Sequence, residues 1–213
     1  MKEAYFTEDN IREAGEKLLA SLDRFRRRHP LKIKRDRIAL IVLDMQRFFL
    51  DESSPGFLPS APAIVGNIRS LVEKFSCSGR PVIFTKHENT NDDAGMLGKW
   101  WNSIIEAGSH FAEIIEEVLP DRGIIIKKTS YDAFYMTDLD EFLKKNHVEQ
   151  IVITGVKTNL CCETTARSGF IRGYNIIFTI DGTATDNLDF HKASLLNISH
   201  GFGIPALCRE RGL

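Results

Sequence analysis

Cysteine is scarce and irregularly placed in this chain: four residues, at positions 77, 161, 162 and 208, two of them adjacent. Such a set builds no disulfide framework, which argues against a secreted scaffold and for a reducing, cytoplasmic setting. No uninterrupted apolar run approaches the ~18–20 residues needed to span a bilayer. The first ten residues are polar and acidic rather than basic then apolar, which is not the pattern of a signal peptide. Neither sign of charge is in excess: 28 Lys and Arg face 29 Asp and Glu, for a net charge of −1. That balance gives no electrostatic argument for nucleic acid or an anionic membrane as a partner. The local exception, Arg24 and Arg26 to Arg28 with Lys32, Lys34 and Arg35 after them, reads as the solvated end of a helix and its linker. Internal repeats and low-complexity tracts are also missing. Asn197-Ile198-Ser199 has the form of a glycosylation sequon, which in a cytoplasmic protein is chance.

A chain of 213 residues suits one large α/β domain. A domain of that size buries roughly 70% of its unfolded surface, so it needs no metal or disulfide staple to hold its core. Residues 8–28 carry Ile11, Leu18, Leu19, Leu22 and Phe25 at helical spacings and predict an amphipathic helix. That helix is expected to pack outside the domain or against a second subunit. The chain thus divides into a helical extension, 1–36, and a main domain, 37–213.

Past residue 37 the pattern changes to short, β-branched apolar runs. They begin with Ile38 to Leu43 and recur at Val82 to Phe84, Gly123 to Ile126, Ile151 to Ile153 and Asn175 to Phe178, with a sixth at Gly203 to Ala206. Helical patterns lie between most of them, at 61–76, 110–118, 137–146, 159–172 and 188–200. Buried strands alternating with amphipathic helices predict a three-layer, doubly wound α/β fold: a mainly parallel six-stranded sheet with helices on both faces. Two long polar stretches, 51–62 and 87–109, leave the ends of the first two strands. Ligands of open parallel sheets bind beyond those ends, and Trp100 and Trp101 in the second stretch could wall a pocket.

Three groups fall just past strand ends. Asp44 closes the first strand, where a carboxylate is costly unless paired or used; a turn or cap role is the plainer alternative. Lys127 and Lys128 close the third, and strand alternation sends them to opposite faces, so only one needs to reach a site. The fourth strand runs into Gly155-Val156-Lys157-Thr158-Asn159-Leu160-Cys161-Cys162. With Thr158 or Asn159 as cap, Cys161 falls in the first helical turn, where free N–H groups and the helix dipole lower a thiol pKa and can hold an oxyanion. A small buried hydrophobe is the alternative for that cysteine.

Three segments together resemble the isochorismatase-like cysteine hydrolases: the strand ending in Asp44-Met45-Gln46, the Lys-x-x-Tyr-x-Ala-Phe run with its Thr-x-Leu sequel, and the Gly-Val-x-Thr-Asn-x-Cys run. They stand in that family's order and spacing, over residues 37–206. Asp189-Phe190-His191-Lys192-Ala193 and the Leu-Leu-Asn-Ile that follows add a likeness to the carbamoylsarcosine amidase and ureidoacrylate amidohydrolase branch. The resemblance implies a catalytic triad of Asp44, Lys128 and Cys161, its lysine lying six residues before Phe134. It also implies a cis peptide at Val156–Lys157 and an oxyanion hole made of the N–H groups of Lys157 and Cys161. Substrate contacts are then sought at Gln46, Trp100, Trp101, Tyr131, Phe134 and Arg167, and assembly as a dimer or tetramer is expected.

Departures from the family matter equally. The nicotinamidase branch binds a metal through an Asp-x-His-x-His segment after the second strand. Here that region reads Thr85-Lys86-His87-Glu88-Asn89, so neither metal nor cofactor is expected. True isochorismatases cleave a vinyl ether and lack the nucleophilic cysteine. Cys162 is read as core. The implied activity is metal-independent hydrolysis of a small amide or carbamoyl compound through an acyl-enzyme. The alternatives are an ester, thioester or vinyl ether hydrolase, a non-catalytic binding protein on the same fold, and a redox role for the Cys161-Cys162 pair.

Overall fold

A computed structural model describes residues 1–101, 103–119 and 123–213 of the chain. In chain order its elements are α1 (Ile11–Ser21), α2 (Asp23–Arg28), β1 (Ile38–Leu43), α3 (Arg47–Leu50), α4 (Ala61–Cys77), β2 (Val82–His87), α5 (Gly95–Trp100), β3 (Ile124–Lys128), α6 (Leu139–Lys145), β4 (Gln150–Val156), α7 (Glu163–Ile171), β5 (Asn175–Ala184), α8 (Leu188–Gly201) and β6 (Gly203–Ala206). The six strands form one sheet in the order β3-β2-β1-β4-β5-β6, and every pairing in it is parallel.

That order follows from the sequence pattern. The chain steps outward from β1 to β3, returns to β4 beside β1, and steps outward the other way to β6. Right-handed connections then place the crossovers of the two halves on opposite faces. Both faces are covered, which is why β1 and β4 are buried at every residue and read as continuous apolar runs. The strand order reverses between β1 and β4, where a crevice opens at the carboxyl ends of such strands. Among the described residues, no helix is long and apolar enough to cross a membrane.

Local departures from the sequence-based expectations each have a cause. The helix expected over 8–28 breaks at Leu22, itself buried, into α1 and α2. The break keeps both short helices on the curved domain surface, where Phe6, Ile11, Leu18 and Leu22 join the main core. The helix expected over 110–118 is only a 3₁₀ turn, His110–Ala112. Its main chain is taken up instead by the β1 exit, with Arg47 N–H donating to Glu113 O and Ile115 N–H to Met45 O. Strand β5 runs on past Phe178 to Ala184 through a bulge opposite β4. Cys161 stands in a π-helical turn, Thr158–Cys162, ahead of α7 rather than in the first turn of an α-helix. Thr158 and Asn159 do not cap that turn: the Thr158 hydroxyl meets His191 Nδ1 at 3.1 Å and Asn159 Oδ1 accepts from the Thr185 hydroxyl at 2.5 Å.

Candidate active site

Four adjacent strands each bring one chemical group to the same crevice. Lys128 ends β3, His87 ends β2 directly opposite it in register, Asp44 follows β1, and Cys161 lies in the turn after β4. The close approach of β4 to β1 depends on Gly155. Its φ is +110°, and a Cβ there would fall 2.0 Å from Leu43 O, so only glycine fits. Asp44 itself has a φ of +51°. This left-handed conformation is unfavourable for a non-glycine residue and turns the carboxylate away from the strand into the crevice. The Thr85 hydroxyl, 2.5 Å from Asp44 Oδ1, fixes the carboxylate's orientation.

Lys128 is the hub. Its ammonium lies 2.8 Å from Asp44 Oδ2, 3.4 Å from Cys161 Sγ, 3.1 Å from His87 Nδ1 and 2.9 Å from Ser130 O. Asp44 Oδ2 faces the Lys128 ammonium at 2.8 Å, while the Thr85 hydroxyl occupies Oδ1. Burial alone would lower the Lys128 pKa, but the Asp44 carboxylate, with the Cys161 sulfur also against the ammonium, outweighs it and the net shift is upward. Strand alternation separates its neighbour: Lys127 points outward and pairs with Glu88 at 2.6 Å.

Cys161 corrects the expectation of a depressed thiol pKa. Burial pushes its thiol up to about 12; Lys128 opposes the shift and Asp44 adds to it. The resting group is therefore a neutral thiol, and a thiolate arises only if its proton has somewhere to go. The peptide between Val156 and Lys157 is cis. Cys162 is wholly buried in the hydrophobic core, as read from the sequence, and all four cysteines are free.

His87 is a member of the cluster that sequence reasoning passed over as the remnant of an absent metal motif. Its Nε2–H reaches Asn89 Oδ1 at 2.8 Å, which leaves Nδ1 to accept from Lys128. Burial, then the Lys128 charge, lowers its pKa to about 4, while Asp44 and Asn89 act the other way. His191, buried beside Tyr5 and Thr158, is lowered to about 3, mainly by burial. Both histidines are neutral in the folded protein and would protonate near 6.5 once unfolded. The unfolded state therefore binds more protons as pH falls from about 6.5 to 4, and stability drops through that window. Thermal unfolding from pH 8 to 4 is expected to show a steep fall in Tm below 6.5, shallower in His191→Gln. An equal slope in that variant would refute the assignment.

A cavity of about 380 Å³ opens above Cys161. Phe48, Phe49, Leu97, Trp101 and Ile105 give it apolar walls, and Tyr131, Asn89, Lys157, Asp186 and Lys2 supply polar groups. Of the four clustered groups, Cys161 and His87 line this cavity, and two larger surface depressions, of about 540 and 510 Å³, touch none of them. Of the residues expected to meet a substrate, Trp101 and Tyr131 line the cavity, joined by a 2.6 Å bond from the indole N–H to the phenol oxygen. Gln46 does not: its amide is spent on the main chain of His87 and Ala112, bracing the ends of β1 and β2. Phe134 stacks on Tyr174 in the core, Trp100 is 75% exposed, and Arg167 lies on the surface over the Phe202 ring.

A family model described as Isochorismatase domain matches residues 38–209. This chain belongs to the isochorismatase family. Nicotinamidase 3 of Arabidopsis thaliana is 38% identical to it over 177 residues, covering 80% of this chain and 84% of that protein. Ureidoacrylate amidohydrolase RutB of Yersinia enterocolitica is 30% identical over 203 residues, covering 83% and 88%. The crystal structure of a cysteine hydrolase from Pseudomonas syringae pv. phaseolicola matches with a TM-score of 0.82 at 29% identity, over 85% of this chain and 93% of that one. The chain is a hydrolase of this family. The family domain begins at Ile38, so everything from the N-terminus to Arg37, including the cavity-lining Lys2, lies outside it.

Proposed function

We propose that this hydrolase cleaves the C–N bond of a small amide, carbamoyl or ureido compound through an acyl-enzyme on Cys161, with no metal. One observation carries the reading: directly beneath the cavity that Cys161 lines, a single buried ammonium, that of Lys128, lies 2.8 Å from a carboxylate and 3.4 Å from the Cys161 thiol. Asp44, whose carboxylate lies within 4.8 Å of the Cys161 sulfur, takes the Cys161 proton as general base, and Lys128 keeps the charges balanced as the thiolate forms. The thiolate attacks the carbonyl carbon, and the N–H groups of Lys157 and Cys161 hold the oxyanion. Asp44 returns the proton to the departing ammonia or amine, then activates the water that releases the acid. The names of the two amidohydrolase relatives support the C–N bond as target.

Asp44, His87 and Cys161 offer donor atoms within 4.8 Å of one another, a spacing that could hold a metal ion. The Lys128 ammonium, however, already stands against all three groups. A divalent cation there would face a fixed positive charge at contact distance, so the donor set fits an ammonium and not a metal.

The test is ammonia release from nicotinamide, ureidoacrylate and small aliphatic amides, with and without a chelator. Release that ignores the chelator is expected, and release that the chelator abolishes would overturn the metal-free scheme. Silence across the panel, with Cys161 still readily alkylated, would move the reading to an ester or ether substrate. The same reading extends to a cytoplasmic homo-oligomer. Trp100, Met96, Ile124 and Ile125 are exposed apolar side chains that a second copy would bury, and light scattering that gives a monomer's mass would refute it.

A further inference from the structure

Residues 1–6 precede the family domain, yet they are built into the site. The segment has no regular secondary structure, and three of its residues fasten it. Glu3 N–H donates to Asp186 O at 2.8 Å, and the Glu3 carboxylate accepts from Leu188 N–H at 2.6 Å. Tyr5 Oη accepts from Thr185 N–H at 2.9 Å and meets His191 Nδ1 at 3.1 Å. Phe6 is 1% exposed, and its N–H donates to the Ser60 hydroxyl at 3.1 Å. These contacts fix the strap against the rim of the cavity and hold Lys2 among its lining residues.

The charges at that rim do not cancel. Lys157 is neutralised by Asp186, 2.9 Å away, and its ammonium also lies 5.3 Å from the centre of the Trp101 ring. Asp44 and Lys128 balance one another beneath the floor, and His87 is neutral. Lys2 makes no ion pair among the described residues; its ammonium donates only to Pro55 O, at 3.0 Å, across the strap. Partial burial and then the Lys157 charge lower its pKa, while the Asp186 charge acts the other way without forming an ion pair with it. Of the charged lining residues Lys2, Lys157 and Asp186, one positive charge is left in excess, held by the strap at the open rim of the cavity.

We propose that the N-terminal strap is a specificity element and that Lys2 selects a substrate carrying a carboxylate at the end opposite its scissile amide. The proposal rests on the amide reading above and narrows it to anionic amides and ureido acids. One carboxylate would neutralise the rim, while the apolar walls hold the short chain that joins it to the carbonyl at Cys161. A neutral amide of the same size would fill the walls and leave the charge unmatched.

The experiment compares succinamate with butyramide, and 3-ureidopropionate with propylurea, each pair differing by a carboxylate in place of a methyl group. Wild type is expected to favour the acid in kcat/KM by at least about tenfold at low salt, and less at high salt. Lys2→Met should reduce that ratio about tenfold by raising KM for the acid, and Lys2→Glu should invert it. Lys17→Met, which changes an exposed lysine of α1 paired only with Glu13, is the control and should leave the ratio alone. In parallel, succinamate binding is measured by calorimetry on the Cys161→Ala protein with and without Lys2→Met. Lys2-dependent binding without turnover in wild type would sink the amide reading and keep the carboxylate site. Turnover with a ratio indifferent to Lys2, or no binding of succinamate, would overturn the proposal.

Discussion

Replacing Cys161 with alanine is expected to lower amide hydrolysis by at least about 10³-fold, the scale on which removing a covalent nucleophile acts. The fold should be nearly untouched. Cys161 is 5% exposed at a cavity floor, so deleting its sulfur opens space that the cavity already borders, at about 1 kcal/mol or less. The informative partner is the adjacent residue. Cys162 is wholly buried in the core, and Cys162→Ala should cost stability, about 1–2 kcal/mol, while keeping turnover. Kinetics and thermal unfolding on both variants therefore separate two neighbouring thiols by opposite signatures. Full activity in Cys161→Ala would end the acyl-enzyme scheme, and a redox role for the pair would require both variants to fail together.

The contrast between these two cysteines also shows what could be read from the chain and what could not. The sheet was legible because strands buried on both faces have to be continuous apolar runs, and their alternation with helices leaves few topologies. Asp44 and the Lys127-Lys128 pair stood out because a polar group directly after such a run lies at the sheet's carboxyl edge, Cys161 because of its expected helix-start placement, and only the family resemblance chose Lys128 over Lys127. His87 ends β2 in the same way, but its meaning depends on its pairing with Lys128 in register, and register between distant strands leaves no local trace. The Cys161 thiol was misjudged for a related reason: helix-start placement is local, whereas burial beneath the cavity is a property of the assembled fold. The π turn that displaces α7 to Glu163 likewise follows from side chains of Thr158 and Asn159 bonding to β5 and α8 neighbours instead of capping. Residues 1–6 were invisible as part of the site, since a short irregular segment has no period and gains its role only from what it lies against.

Replacing Lys128 with methionine should do more than stop catalysis. The side chain is among the largest fully buried in the protein, and methionine matches its length without its charge. What remains is the Asp44 carboxylate, buried, with its Oδ2 deprived of its only cation and Thr85 alone on Oδ1. Breaking a buried ion pair from one side costs about 3–5 kcal/mol, because the surviving charge is left uncompensated. For a chain of this size that is a Tm lower by roughly 10 °C. The carboxylate's remedy is to take up a proton, so the deficit should shrink as pH falls, provided the comparison is made against wild type at each pH. Asp44→Asn in the same protein removes the stranded charge outright. The double variant Asp44→Asn, Lys128→Met should therefore recover most of the lost stability while remaining inactive. If the two substitutions instead add, the ammonium and carboxylate are not coupled as their 2.8 Å separation implies. Recovery of the fold without recovery of turnover would show that the pair is kept for its chemistry, since an uncharged floor holds the sheet ends together equally well.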